Sequence, residues 1–206
     1  MQDDDRITVP VLQKQKSGGH RFMYYSVIMS GFGGQGVMLI GELLAHAAMK
    51  SGLNVTWMPS YGVEMRGGTA RCTVVVSDEK IGSPIVEEPS AVIAMNMPSL
   101  ERFQNRIVTG GLLMVNSTIV QSFDPSREDI EIINVPTQEI ARSVGRERMA
   151  NIAMLGAFLA RSGILPLDLV EGSLDTFLIP SRRNLIPEFQ KTLRAGKKFI
   201  EENLGA

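Results

Sequence analysis

The chain is poor in the residues that build disulfides, zinc sites and iron–sulfur centres. Its 206 residues include one cysteine, Cys72, and two widely separated histidines, His20 and His46. One cysteine excludes an intrachain disulfide, a Cys-x-x-Cys redox pair and an iron–sulfur cluster held by this chain alone. The two histidines lack the ligand spacing of a zinc site. We therefore predict no metal site here, and any redox centre must come from another chain.

The sequence also lacks a long apolar run and an excess of charge of either sign. Its longest apolar run, Ile152–Ala160, is much shorter than the roughly 20 residues that cross a bilayer. A formal net charge of -1 does not provide the basic surface that nucleic acids require. Aspartates at positions 3–5 are the wrong charge for a secretory signal. These features predict a cytoplasmic protein that binds neither membranes nor nucleic acids.

Signatures of common catalytic machinery are missing as well. The sequence contains no nucleophile elbow, no GxxxxGK[ST] phosphate loop, no HExxH pair and no convincing Ser-His-Asp order. Hydrolysis and nucleotide phosphoryl transfer therefore have no candidate residues. We assign no catalytic residue to this chain.

What the sequence does contain is a strand, a glycine turn and a helix in succession. Phe22–Ser30 is an apolar, β-branched run that ends in the glycine turn 31–36. The apolar spacing from Val37 to Ala48 then predicts a helix that ends near Lys50–Gly52. Leu53–Met58 predicts the next strand, so these segments predict a βαβ unit with parallel strands. The predicted fold class is α/β: one Rossmann-like domain with an open, mostly parallel sheet flanked by helices.

Further elements follow from hydrophobic periodicity and from turn residues. Arg71–Ser77 and Ile81–Pro84 predict an antiparallel hairpin. Later strands are predicted at 91–95, 112–115 and 130–135, and helices at 98–105, 148–161, 167–177 and 184–203. The last three helices make a C-terminal helical region. Residues 1–20 read as an arm outside the core, with a weakly indicated strand at Ile7–Leu12.

The glycine turn is the first candidate binding segment. Gly31, Gly33 and Gly36 satisfy GxGxxG between a strand and a helix, and Gly34 and Gln35 complete the segment. Such a turn brings an anion close to the free amides of the helix N-terminus, which favours a phosphate or pyrophosphate. The alternative is that the glycines only allow the strand and helix to pack closely.

A nicotinamide cofactor would need a further residue. An acid is expected about 20 residues after the turn, at the end of the second strand, to hold the ribose hydroxyls. That neighbourhood is Trp57–Pro59, which contains neither an acid nor a basic residue for a 2′-phosphate. The sequence therefore argues against an NAD(P)-dependent reductase.

A second loop follows Pro59 and leaves its strand at the same edge of the sheet. Ligands of open α/β sheets bind at this edge, so we expect the two loops to converge there. The loop contains six candidate residues for binding a substrate or a partner: Tyr61, Gly62, Glu64, Arg66, Gly67 and Gly68. Asn96, at the end of a later strand, is a seventh candidate. Arg66 suits an anionic group. A local Glu64–Arg66 ion pair, a packing role for Tyr61 and a turn-forming role for Asn96 are the structural alternatives.

Three sequence blocks together resemble a known family. Gly31–Val37, Ser60–Thr69 and Ile81–Pro84 are similar in wording, order and spacing to the gamma subunit of 2-oxoacid:ferredoxin oxidoreductases, over about residues 24–190. The resemblance implies a gamma domain at 21–206 that follows the arm at 1–20. Glu64–Arg66 and Met97–Leu100 resemble the 2-oxoglutarate branch more than the pyruvate branch.

The resemblance also implies an activity that several chains share. Such complexes oxidatively decarboxylate a 2-oxoacid to the acyl-CoA and pass electrons to ferredoxin. Thiamine diphosphate with Mg²⁺ and the iron–sulfur clusters belong to other subunits, so this chain by itself is expected to hold no cofactor and to be inactive when isolated. The expected partners are alpha and beta subunits, a delta subunit where the complex has one, and ferredoxin through the complex.

We hypothesise that Gly33–Gly36 and Arg66–Gly68 position the phosphates of coenzyme A or a neighbouring subunit near the thiamine site. Convergence of the two loops on one sheet edge motivates this hypothesis. A non-catalytic assembly subunit with a purely architectural glycine turn is the alternative.

Overall fold

A computed structural model describes residues 13–15, 21–62 and 68–204 of the chain. The strands in these ranges are β1 (Gln13–Gln15), β2 (Arg21–Phe32), β3 (Asn54–Tyr61), β4 (Thr69–Ser77), β5 (Ala91–Ala94), β6 (Leu112–Asn116) and β7 (Glu131–Val135). The helices are α1 (Val37–Lys50), α2 (Met97–Phe103), α3 (Thr137–Ser143), α4 (Ala150–Ser162), α5 (Leu167–Phe177) and α6 (Ile186–Leu204).

The strands form one sheet in the order β3-β4-β2-β5-β6-β7, and β1 pairs with the start of β2. β2, β5, β6 and β7 run parallel to one another, while β4 is antiparallel to both of its neighbours. The predicted fold class, an α/β domain with a mostly parallel sheet, is confirmed. The predicted C-terminal helices are also present, at positions close to those expected.

The predicted pairing within the first βαβ unit is wrong. β3 does run parallel to β2, but β4 lies between them and pairs with both. Burial explains this order. Residues 70–77 of β4 are almost all buried, as expected of a central strand. β3 is largely exposed from Trp57 onward and carries Pro59, which suits an edge strand.

The predicted hairpin is also wrong. Ile81–Pro84 forms no strand, because Pro84 has no amide hydrogen for a ladder. The antiparallel hairpin is instead made by β3 and β4, which residues 62–68 connect. Helix α3 was not predicted, since its seven residues are too few for a periodic pattern. The predicted strand at Ile7–Leu12 lies outside the described residues.

Apolar cores lie on both faces of the sheet. The larger one joins the sheet to α1, α4, α5 and α6, and the smaller one packs α2 against β2, β5 and β6. Helices α4 and α6 can approach closely because Gly156 has no side chain. A Cβ at this position would lie 2.0 Å from the Leu193 carbonyl oxygen. This packing helps to place the amino end of α4 beside the glycine turn. No helix in the described ranges is both long and apolar enough to span a bilayer.

Candidate functional site

The glycine turn joins β2 to α1 through two left-handed glycines. Gly34 has φ 98° and Gly36 has φ 73°, a backbone region that residues with a Cβ rarely adopt. A Cβ at Gly36 would also lie 2.3 Å from Asn151 Nδ2, whereas a Cβ at Gly34 would meet no atom of the described residues within 4 Å. Close packing therefore accounts for Gly36, while Gly34 leaves its side of the turn open to a ligand.

The side chain of Gln35 stabilises the glycine turn through two hydrogen bonds to the backbone. Its Oε1 accepts a hydrogen bond from the Phe32 amide at 2.6 Å, and its Nε2 donates to the Met95 carbonyl at 3.0 Å. These bonds link the turn, which follows β2, to Met95, which follows β5. β2 and β5 are parallel neighbours, so both strands end at the same edge of the sheet. The amide of Gln35 is therefore used to shape the turn.

Two helices begin beside this turn. α1 starts after Gly36 and α4 after Met149, and neither has a side-chain cap or an acidic residue in its first turn. Free amides and the helix dipole make both ends favourable for an anion. A cleft of about 430 Å³ lies against them, lined by residues that include Gly34, Gln35, Gly36, Met95, Arg148 and Asn151. We call it the glycine cleft.

Arg148 lines the glycine cleft and has no acidic partner among the residues that the structure describes. Its neighbours Arg142 and Arg146 pair with Glu147 and Glu188, each at 2.7 Å. Arg148 forms no such pair with any residue of the described ranges. Glu147, in the turn before α4, also lines the cleft, but Arg142 pairs with its carboxylate. The cleft therefore combines two helix amino ends with the Arg148 guanidinium, a set of groups that suits a phosphate.

Sequence reasoning missed Arg148 and Asn151. Asn151 Nδ2 donates to the Gly36 carbonyl at 3.1 Å across 115 sequence positions. No local pattern predicts a contact of that range. The basic stretch before the predicted helix at 148–161 was the one visible signal.

The second loop reaches the glycine turn through its backbone. The Gly33 amide donates to the Gly68 carbonyl at 3.0 Å, and the Gly62 amide donates to the Thr69 carbonyl at 2.7 Å. The two loops therefore meet at this edge, as the topology led us to expect. Tyr61 is 70% exposed, so it does not pack in the core. The other predicted residues of this loop, Glu64, Arg66 and Gly67, lie outside the described residues.

Asn96 has a structural role: it caps helix α2. A structural role was the alternative to ligand binding that we named for this residue. Its side chain is 1% exposed, and Oδ1 accepts from the Ser99 amide at 3.0 Å, which caps α2. Its Nδ2 donates to Gln35 Oε1 at 3.3 Å. Asn96 therefore caps α2 and supports the glycine turn through Gln35.

Cys72 is a core residue, as predicted. It is fully buried, its Sγ donates to the Val37 carbonyl at 3.3 Å, and burial raises the pKa of the thiol to about 12. His46 hydrogen-bonds Thr176 Oγ1 through Nε2 at 3.0 Å, away from the glycine cleft. In the part of the chain that the structure describes, no three His, Cys, Asp or Glu side chains gather as a metal site.

The fold and the turn define the chain as a Rossmann-like α/β domain with a glycine loop at the carboxyl edge of its parallel strands. The family model described as "Pyruvate ferredoxin/flavodoxin oxidoreductase" matches residues 26–206. The chain therefore belongs to the pyruvate ferredoxin/flavodoxin oxidoreductase family, and its relatives include gamma subunits of 2-oxoacid:ferredoxin oxidoreductases.

Two curated relatives and one solved structure illustrate the similarity. Ketoisovalerate oxidoreductase subunit VorA of Methanothermobacter thermautotrophicus is 40% identical over 86% of this chain and 37% of its own length. The 2-oxoglutarate synthase subunit KorC of Methanothermobacter marburgensis is 34% identical over 87% of this chain and 98% of its own length. The crystal structure of a keto/oxoacid ferredoxin oxidoreductase gamma subunit from Geobacter sulfurreducens superposes with a TM-score of 0.71 at 27% identity, covering 84% of this chain and 96% of that one.

The extent of these matches differs between relatives. The chain spans 37% to 38% of the length of the two VorA proteins. It spans nearly all of KorC and of the Geobacter gamma subunit. The domain is therefore found both as a part of longer chains and as a chain of about its own size.

Proposed function

We propose that this chain is the gamma subunit of a complex that oxidatively decarboxylates a 2-oxoacid to the acyl-CoA and passes the electrons to ferredoxin. The names of its relatives support this activity. In this proposal residues 21–206 are the gamma domain and 1–20 an arm, within a cytoplasmic complex with alpha and beta subunits. An iron–sulfur cluster does not fit the described residues, which have one buried cysteine and no group of three candidate metal ligands. In this proposal the clusters and thiamine diphosphate belong to the other subunits.

The proposed part of this chain in the reaction is to hold the phosphates of coenzyme A in the glycine cleft. The single observation that carries it is that one cleft is lined by the uncapped ends of α1 and α4 and by Arg148, which pairs with no acid in the described ranges. Coenzyme A, when bound, supplies the thiol that accepts the acyl group. Gly34, the α1 and α4 amides and Arg148 would bind its phosphates. The role predicted for Arg66–Gly68 from the sequence stays part of this proposal.

For the substrate we propose 2-oxoglutarate, because Glu64–Arg66 and Met97–Leu100 resemble that branch. A branched 2-oxoacid is the second candidate, since the ketoisovalerate relative is 40% identical and KorC is 34% identical. Copurifying the complex and assaying 2-oxoglutarate, ketoisovalerate and pyruvate with coenzyme A and a low-potential acceptor separates these substrates. Turnover of none of the three would contradict the proposed activity.

The glycine cleft is tested in the reconstituted complex. We expect Gly34→Asp and Arg148→Ala to raise the apparent KM for coenzyme A about tenfold, because each weakens the cleft's attraction for a phosphate. Arg66→Ala tests the second loop in the same assay. Arg182→Ala is the matched control, because Arg182 is exposed and does not line the cleft.

The alternative assembly role predicts a different outcome. A subunit with a purely architectural turn would keep the KM for coenzyme A in every variant that assembles. Unchanged KM with unchanged assembly in Gly34→Asp and Arg148→Ala would therefore reject the coenzyme role of the cleft.

A further inference from the structure

A second cleft opens at the same edge of the sheet, on the opposite face. Arg71 alternates along β4 with Ala70 and Cys72, which belong to the core under α1, so Arg71 projects toward the α2 side. There a cavity of about 230 Å³ lies between the ends of β3 and β4 and the start of α2. Its lining includes Ser30, Ser60, Thr69, Arg71, Ser99 and Arg102. We call it the arginine cleft.

Three guanidinium groups surround one aromatic ring beside this cleft. The Cζ atoms of Arg71, Arg102 and Arg106 lie 5.7, 5.5 and 5.7 Å from the centroid of the Phe103 ring. The ring is 1% exposed and therefore fixed, so it holds the three cations through cation–π contacts. Like charges gathered in this way repel one another unless an anion joins them.

The three arginines are not equivalent. Arg106 donates from Nε and Nη2 to the carbonyls of Glu87 and Val86 at 2.9 and 3.0 Å, so its fork has a structural task. Arg71 and Arg102 line the cleft and form no salt bridge with an acid in the described ranges. These two guanidiniums are the ones available to a ligand.

The electrostatic state of Arg71 agrees with this geometry. Burial, together with the charges of Arg102 and Arg106, lowers the pKa of Arg71 from its usual value. The positive charges are therefore only partly compensated by their surroundings. A bound anion would reverse that effect, because an opposite charge nearby stabilises the ionised guanidinium.

Hydroxyl groups complete the lining. Ser30 and Ser99 are 2% and 1% exposed, and Ser99 Oγ donates to Ser30 Oγ at 2.9 Å. Ser60 of β3 and Thr69 of β4 also line the cleft. Two guanidinium forks with several hydroxyls offer more donors than a carboxylate can accept, whereas a phosphate has oxygens pointing in more directions. The cavity admits only the anionic end of a ligand, because complete ligand sites usually exceed about 300 Å³.

We propose that the arginine cleft binds the phosphate group of a phosphorylated small molecule through Arg71 and Arg102. This site is distinct from the glycine cleft, which lies on the other face of the sheet and carries the proposed coenzyme role. Phosphate binding by the chain alone does not require turnover. A failure here is therefore distinguishable from a failure of the proposed function.

The test is calorimetric titration of the full chain with inorganic pyrophosphate at low salt. We expect Arg102→Gln to weaken one binding event at least about tenfold, since a charged hydrogen-bonding partner is lost. Arg71→Lys keeps the charge but removes the planar fork and should also weaken that event. Arg182→Gln is the control and should bind as the wild-type chain does.

Competition with coenzyme A then assigns the phosphate to its source. If coenzyme A displaces pyrophosphate from the Arg102-dependent site, coenzyme A is the ligand. If coenzyme A does not displace it, the ligand is another phosphorylated molecule. Both outcomes uphold the site. Equal pyrophosphate affinity in wild type and Arg102→Gln would overturn it. Loss of complex assembly without any loss of pyrophosphate binding would also overturn it and assign the arginines to a partner's carboxylate.

Discussion

The two clefts at the carboxyl edge of the sheet are built from different parts of the chain. The glycine cleft relies on backbone amides at the starts of α1 and α4, and Gln35 and Asn151 hold these elements together. The arginine cleft relies on side chains, two guanidiniums and several hydroxyls, arranged around Phe103. Both lie at the edge where ligands of open α/β sheets bind, on opposite faces of the same strands.

This difference bears on how each cleft can be altered. Backbone donors are part of the fold, so a change within the glycine turn should also cost stability. Side-chain donors at the surface can be removed while the fold remains. Mutations should therefore couple stability to binding on one face and separate them on the other.

The largest effect is expected at Gly36. Gly36→Ala places a Cβ at φ 73° and 2.3 Å from Asn151 Nδ2, so the backbone is strained and the Asn151 hydrogen bond to the Gly36 carbonyl is lost. We expect the free energy of unfolding to fall by about 3 kcal/mol. Urea denaturation followed by circular dichroism measures it. A loss no greater than that of Gly34→Ala would show that the Asn151 contact contributes nothing.

Gln35→Ala should have the next largest effect. It removes the hydrogen bonds to the Phe32 amide and to the Met95 carbonyl, and the partner of Asn96 Nδ2 as well. We expect a loss of about 2 kcal/mol in unfolding free energy. A loss below about 0.5 kcal/mol, the range of ordinary surface substitutions, would contradict a role for these hydrogen bonds in stabilising the turn.

Gly34→Ala should cost about 1 kcal/mol, since its φ of 98° is unfavourable for alanine while the space around it is free. Gly52→Ala is the matched control, because Gly52 has φ 86° and open space but lies away from both clefts. The two variants should lose similar stability by urea denaturation. A much larger loss at Gly34 would mean that the turn is strained beyond its backbone angle.

The smallest effect on stability is expected from Arg102→Gln. Arg102 is exposed, and within the described ranges it contacts the Phe103 ring and forms no salt bridge, so the free energy of unfolding should change by less than about 0.5 kcal/mol. The same denaturation experiment checks this value. A loss comparable to that of Gln35→Ala would remove the contrast between the two clefts.

Local sequence patterns accounted for much of the fold and for part of the site. The apolar run before Gly31 and the periodic residues after Gly36 predicted β2, the turn and α1 at nearly their observed positions. The convergence of two loops followed from the rule that parallel strands share a carboxyl edge. The position of β4 did not follow, because burial on both faces, rather than any local signal, makes β4 central and leaves β3 at the edge.

The roles of individual polar residues depended on their partners. Asn96 was both a turn former and a candidate ligand in the sequence, and only its bonds to Ser99 and Gln35 decide for structure. Gln35 was grouped with the binding glycines, yet its amide closes the turn. Arg71 lies just after the second loop, and no sequence pattern marks it as a binding residue. Only the fold shows that Arg71 and Arg102 lie beside the same Phe103 ring.

The sequence by itself determined the strand, glycine turn and helix, the family motifs and the lack of cysteines for a cluster, because these are properties of neighbouring residues and of composition. Tertiary structure decided that β4 separates β2 from β3, that α4 brings Arg148 and Asn151 to the turn, and that Arg71 meets Arg102. The physical reason is that such contacts join residues far apart in the chain. They form where the burial of apolar faces places whole elements together, which no local pattern encodes.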